Sequence, residues 1–154
     1  MSWENELVKS LEKEIEKDNA QEMYNTDFYN DHQKYKMIYD FIGDVIYVSF
    51  EPESVIDLGC GAGLLLERLR SQGVSKVYGI DGSKDALSSW PDHMKDVLEV
   101  KNLIEFKPQE RYDVAVCMEV AEHIPENKAA KLVTKVTDSS KKFVWWTAAQ
   151  PGQG

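Results

Sequence analysis

Five short apolar runs, SVIDL, KVYGID, DVLEV, YDVAVCM and KFVWWT, punctuate the second two-thirds of the chain. Strands buried on both faces read as runs of this kind, and parallel neighbours need a crossover between them, usually a helix. Three of the four spacers supply one. Leu64–Arg70 is amphipathic and is followed by Gly73, where a helix C-cap would sit. Ser83–Ser89 opens on a residue able to cap a helix N-terminus and stops before Pro91. Glu126–Val136 follows Pro125 and puts Ala129, Leu132, Val133 and Val136 on one face. Only Lys101–Arg111 reads as a loop. Strands alternating with helices at this pitch predict an α/β fold built on a parallel sheet.

Ahead of the sheet, residues 3–20 carry Leu7, Leu11 and Ile15 as a thin apolar stripe on an otherwise charged helix, whose charges read as a solvated face. Asp27 to Ile42 makes a stronger helix, with Tyr35, Ile38, Tyr39 and Ile42 in register. At 154 residues the chain suits one domain. Its net charge of −9 argues against nucleic acid or an anionic membrane surface as partner. Cys60 and Cys117 form no CxxC pair and have no histidines at ligand spacing, so a disulfide framework and a metal site are not expected. No run approaches the roughly 20 apolar residues that cross a bilayer, and the N-terminus has no signal-peptide core. These features predict a cytoplasmic protein.

In an open parallel sheet, ligands bind at the carboxyl ends of the strands. The sequence VIDLGCGAGLLLERL puts Gly59, Gly61 and Gly63 at such an end, immediately after the first strand and before the first crossover helix. A turn without Cβ atoms can take positive φ and bring its backbone against a ligand. A plain strand–helix turn needs no more than one glycine. The dinucleotide fingerprint G-x-G-x-x-G/A would put a small third residue at position 64, which here is Leu64. The second strand ends in Asp81, whose carboxylate can accept two hydrogen bonds from vicinal ribose hydroxyls; its alternative role is a helix N-terminal acid. The pattern predicts a nucleoside with no phosphate near the turn.

VIDLGCGAG, then VYGIDGS, then YDVAVCMEVAEHI resembles, in order and spacing, the signature segments of the class I S-adenosylmethionine-dependent methyltransferases, especially the small-molecule branch. The likeness runs from about Glu53 to Gln150. It implies a Rossmann-like sheet of order 3-2-1-4-5 with helices on both faces, S-adenosylmethionine as cofactor, and S-adenosylhomocysteine as product. Gly59, Cys60, Gly61 and Gly63 would then hold the methionine portion, with Asp57 orienting the loop or the amino group. Asp81 would bind the ribose, with Gly82 and Ser83 beside it. Asn102 and Leu103 stand where the family contacts adenine; the Asn102 carbonyl oxygen would accept from the adenine amino group. Met118 and Glu119 would line the cofactor near the reacting methyl. Residues 1–50 would form a helical lid, in which Tyr24, Phe28, Tyr29 and Lys36 are candidate contacts, and 51–154 the cofactor domain. Packing of these aromatics on the sheet is the competing reading.

Methyl transfer from a sulfonium is an in-line displacement that needs alignment above all, with a base only where the acceptor must lose a proton. His123 and Glu119 are the candidate catalytic residues; loop orientation is the alternative for His123. Glu122 reads as solvent-facing or as an acid entering the next helix. His32 and His93 read as surface residues without partners, and Trp145 and Trp146 as packing on opposite faces of the sheet.

The family fold has seven strands, ordered 3-2-1-4-5-7-6. Here the chain ends soon after the fifth, which predicts a shortened chain or a homodimer through the bare strand-5 edge. Three functions follow: a methyltransferase acting on a small-molecule acceptor, an S-adenosylmethionine-binding domain without its own acceptor site, and a nicotinamide-dependent oxidoreductase, against which Leu64 counts.

Overall fold

The computed structural model describes residues 35–150. Helix α1 (Lys36–Phe50) leads into strand β1 (Ser54–Leu58), followed by α2 (Leu64–Ser71), β2 (Lys76–Asp81), two short 3-10 turns (Lys84–Ser89 and Asp92–Met94) and β3 (Leu98–Val100). Then come β4 (Tyr112–Met118), a 3-10 turn over Ala121–His123, α3 (Glu126–Asp138) and β5 (Ser140–Thr147). All pairings are parallel and the order is β3-β2-β1-β4-β5, as the resemblance implies.

The period-two alternation of each strand splits the core in two. On one face Val55, Val77, Val114 and Val116 meet Leu65, Leu66 and Leu69 of α2 and Ile46 of α1. On the other, Ile56, Leu58, Ile80, Ala115 and Cys117 meet Leu132 and Val136 of α3, with Leu103 and Phe106 from the loop. Helices therefore cover both faces. Each fully buried leucine or isoleucine contributes roughly 1.5–3 kcal/mol of transfer free energy, so the sheet is held chiefly by these two layers.

Several elements show why they start and stop where they do. Beyond α2, Gly73 takes φ +105, its amide bonds the Arg70 carbonyl and the Val74 amide bonds that of Leu69. This pair of bonds closes the helix in a Schellman motif. At the foot of the sheet, Asp113 accepts from the amides of Glu53 and Ser54, while the Asp113 amide donates to Ser54 Oγ, clasping β1 to β4.

Several elements depart from what the sequence predicts. The helix read as ending at Ile42 continues through Gly43 to Phe50, where Glu51 caps it with φ +42 just before Pro52; its apolar face continues through Ile46. The span Ser83–Ser89 is a 3-10 turn, although Ser83 does cap it, its hydroxyl accepting from the Asp85 amide. His93 is not partnerless: Nε2 lies 2.9 Å from Glu67 Oε1. Trp146 is not packed: it is exposed, with Phe143 and Val144, along β5, whereas Trp145 packs on the α1–α2 side. His32 and residues 3–34 lie outside the described residues.

Candidate cofactor site

The carboxyl ends of β1, β2 and β4 converge, and each sends one element of the site to the same lip. From β1 comes the turn Gly59–Gly63, in which Gly59, Gly61 and Gly63 have φ of +92, +52 and +77. Tertiary contacts explain why two of these positions are bare. A Cβ on Gly59 would collide with Val120 Cγ2, and one on Gly63 would stand 2.7 Å from Leu98 Cδ1. The amides of Gly59 and Cys60 both donate to the Ile80 carbonyl, tying the turn to the end of β2.

From β2 comes Asp81, which is buried. Its Oδ2 accepts from the Gly61 amide and its Oδ1 from the Ser83 amide, both at 2.9 Å. Beside it, Gly82 opens onto free space: a Cβ there would meet nothing within 4 Å. The acidic strand end and the bare turn are thus joined directly, with open space over Gly82 beside them.

Asp57 is buried on β1 beneath the turn. Burial first, and then the charge of Asp81, push its pKa up to about 8, with no cationic side chain among the described residues pulling it down. Both causes favour the neutral acid over the carboxylate. A cationic group arriving beside it would favour its ionised form.

From β4 come Met118 and Glu119. Glu119 is exposed, has a left-handed backbone (φ +52) and donates its amide to the Thr147 carbonyl of β5. A non-glycine residue in that region costs free energy that its surroundings must supply, and such positions gather at functional sites. The kink turns the chain so that Val120 folds over Gly59.

A family model described as a methyltransferase domain matches residues 18–142. The chain belongs to that family. A ubiquinone biosynthesis O-methyltransferase of Neisseria meningitidis is 36% identical over 93 residues, covering 51% of this chain and 39% of its own. Its namesake in Nitrosomonas europaea is 34% identical over 112 residues, covering 66% of this chain and 46% of its own. The chain spans less than half the length of these two relatives. The S-adenosylmethionine-bound structure of an amino pentose methyltransferase from Micromonospora echinaspora shares the fold, with a TM-score of 0.60 at 16% identity, over 73% of this chain and 51% of that one. Membership in a methyltransferase family sets aside the nicotinamide-dependent reading.

Within this methyltransferase domain, the remaining expected residues are placed as follows. Cys60 is buried in the core cluster, with its thiol pushed well up by burial and then by the charges of Asp81 and Asp57. Leu103 is buried on the α3 side. Asn102 Oδ1 already accepts from the amides of Ile104 and Glu105, so the oxygen expected to meet an adenine amino group is spent on its own loop. His123 Nε2 lies 3.8 Å from Glu122 Oε1. Glu122 is not solvent-facing: its side chain is 12% exposed, and its Oε2 is buried with no hydrogen-bond partner among the described residues. Lys36 lies in an exposed pair with Asp40 at the start of α1. Tyr24, Phe28 and Tyr29 lie outside the described residues.

Two residues of the site carry no signature in the sequence. Phe50 stacks on Phe143 with ring centroids 4.5 Å apart, and Phe143 pairs with Val114. From Phe50 back to Tyr39 an α-helix rises about 16 Å, and from Val114 to Glu119 a strand rises about 16 Å. Tyr39 accordingly reaches the level of the turn. Burial, then the charges of Asp57 and Glu119, push its hydroxyl up to about 12. The second is Trp90, whose indole Nε1 donates to the Gly61 carbonyl at 2.8 Å. Helical periodicity marks Tyr39 only as a packing residue, and nothing near Trp90 marks it at all.

Proposed function

We propose that this chain binds S-adenosylmethionine and serves transfer of its methyl group to a small-molecule acceptor. The observation that carries the reading is the pair of bonds from Asp81 to the Gly61 and Ser83 amides, which sets a carboxylate and a bare left-handed turn on one lip. A ribose needs the first and a methionine backbone needs the second. The bare space over Gly82 and the Oε2 of Glu122, which has no partner among the described residues, fit a bound group that fills the first and approaches the second. The relatives named as O-methyltransferases support a hydroxyl-bearing acceptor.

In this reading the cofactor supplies an already activated methyl on a sulfonium. Gly59, Cys60, Gly61 and Gly63 hold its methionine end, with Asp57 beneath. Asp81, Gly82 and Ser83 hold the ribose. Leu103 and the Asn102 amide group take the adenine side. Met118 and Glu119 wall the methyl, and His123, at the rim beside Glu122, takes the acceptor's proton. Residues 1–50 act as a lid, of which α1 contributes Tyr39.

The deciding experiment is calorimetric titration of S-adenosylhomocysteine into the purified chain beside Asp81→Ala. Micromolar binding that the variant loses supports the reading; no binding by the intact chain overturns it. Labelled cofactor offered with small hydroxyl-bearing acceptors then distinguishes transfer from binding alone. None of the helices among the described residues is long and apolar enough to cross a membrane. We further propose a homodimer through β5, whose outer edge is unpaired among the described residues and carries exposed Phe143, Val144 and Trp146. Sedimentation equilibrium should show a dimer that Trp146→Lys disrupts; a monomer at all concentrations overturns it.

A further inference from the structure

We propose that Trp90 is a positioning residue for the cofactor turn, its indole N–H setting the direction of the Gly61 carbonyl. The inference rests on reading Gly59–Gly63 as that turn. Gly61 has φ +52 and no side chain, so left to itself it samples many conformations. Here both of its polar backbone groups are held. Its amide donates to Asp81 Oδ2 at 2.9 Å, and its carbonyl accepts from Trp90 Nε1 at 2.8 Å.

Both partners come from the same stretch of chain, the end of β2 and the turns that follow it, so a single segment orients the residue from two sides. The Trp90 ring cannot yield. It is 5% exposed and packs in the core cluster with Ala86, Met94 and Leu98. A buried indole N–H is costly to leave unpaired, so the ring's fixed seat translates into a fixed carbonyl. Packing alone would accept phenylalanine or methionine here; the N–H matters only to Gly61. Removing this freedom before a ligand arrives is preorganisation, which lowers the ordering cost of binding.

The test replaces the N–H and keeps the shape. Trp90→Phe is the simple variant; 3-benzothienylalanine at position 90, with sulfur in place of the indole N–H, preserves the ring volume if the phenylalanine variant unfolds. Amide hydrogen exchange across 59–63 is read against the body of α2, and S-adenosylhomocysteine affinity is read by calorimetry. Loss of one neutral hydrogen bond should raise the dissociation constant on the order of fivefold. Exchange in the turn should quicken while that in α2 does not. Turn exchange equal to wild type, or an affinity within twofold, overturns the role of Trp90 while leaving the cofactor reading intact. Failure of the wild-type chain to bind overturns both.

Discussion

Val120 lies over Gly59 in the space a Cβ would occupy, and Gly59 holds φ +92. The end of β4 thus closes on the turn that follows β1, and the bareness of Gly59 answers to a residue far away in sequence. Gly59→Ala meets two penalties. The left-handed backbone costs roughly 1–2 kcal/mol, and the methyl collides with Val120. Thermal melting should show a clear loss for Gly59→Ala, and Val120→Ala in the same chain should restore only the steric part. Full recovery would mean that the backbone carries no strain.

Asp57 predicts a slope of stability with pH. Its folded pKa of about 8 lies above the unfolded value near 4. Between those limits the folded chain holds a proton that the unfolded chain releases, so stability falls as pH rises. The loss is about 1.4 kcal/mol per pH unit across the window. Urea midpoints measured from pH 5 to 7.5 should fall for wild type relative to Asp57→Asn. Parallel profiles would show that Asp57 is already ionised.

Leu98 stands against two glycines at once: its methyls would lie 2.7 Å from a Cβ on Gly63 or on Gly79. Leu98→Ala should cost roughly 2–5 kcal/mol through the cavity it leaves, and Gly79→Ala about 1–3 kcal/mol through overpacking. A double-mutant cycle in urea should give a combined loss smaller than the sum, because the alanine methyl at 79 enters the space Leu98 vacates, although its close approach to Leu66 Cδ1 and Cys60 Cβ remains. Simple additivity would refute the shared space.

Both thiols are buried, and burial first, then the charges of Asp57 and Glu122, push Cys117 up to about 12. With thiolate scarce and access closed, native protein at pH 8 should leave Cys60 and Cys117 unmodified by a disulfide reagent, and denaturant should expose both. Prompt reaction of the native chain would reveal local opening at the site.

The strands, their parallel pairing and the glycine turn were legible because their signals are local. Valine and isoleucine runs, a period of two, and glycines at one junction need no knowledge of distant residues. Asp81 was legible for the same reason, standing at the end of its own run. Glu122, Trp90 and Tyr39 were not. Glu122 sits before a proline like any helix-entry acid, and only the fold of 119–124 buries its Oε2. Trp90 owes its importance to Gly61, which is remote in sequence. Trp145 and Trp146 look alike in sequence, and only the packing on the two faces of the sheet half-buries the first and leaves the second exposed.

The sequence by itself determined the α/β class, the family, and the lip on which the turn and Asp81 meet, since each follows from short-range pattern. Tertiary structure decided what the lip is made of: Val120 over Gly59, Leu98 between two glycines, Trp90 on the Gly61 carbonyl, and Asp57 buried beneath. The physical reason is that steric closure, hydrogen-bond partners and desolvation depend on which side chains arrive from elsewhere, and no local period records their arrival.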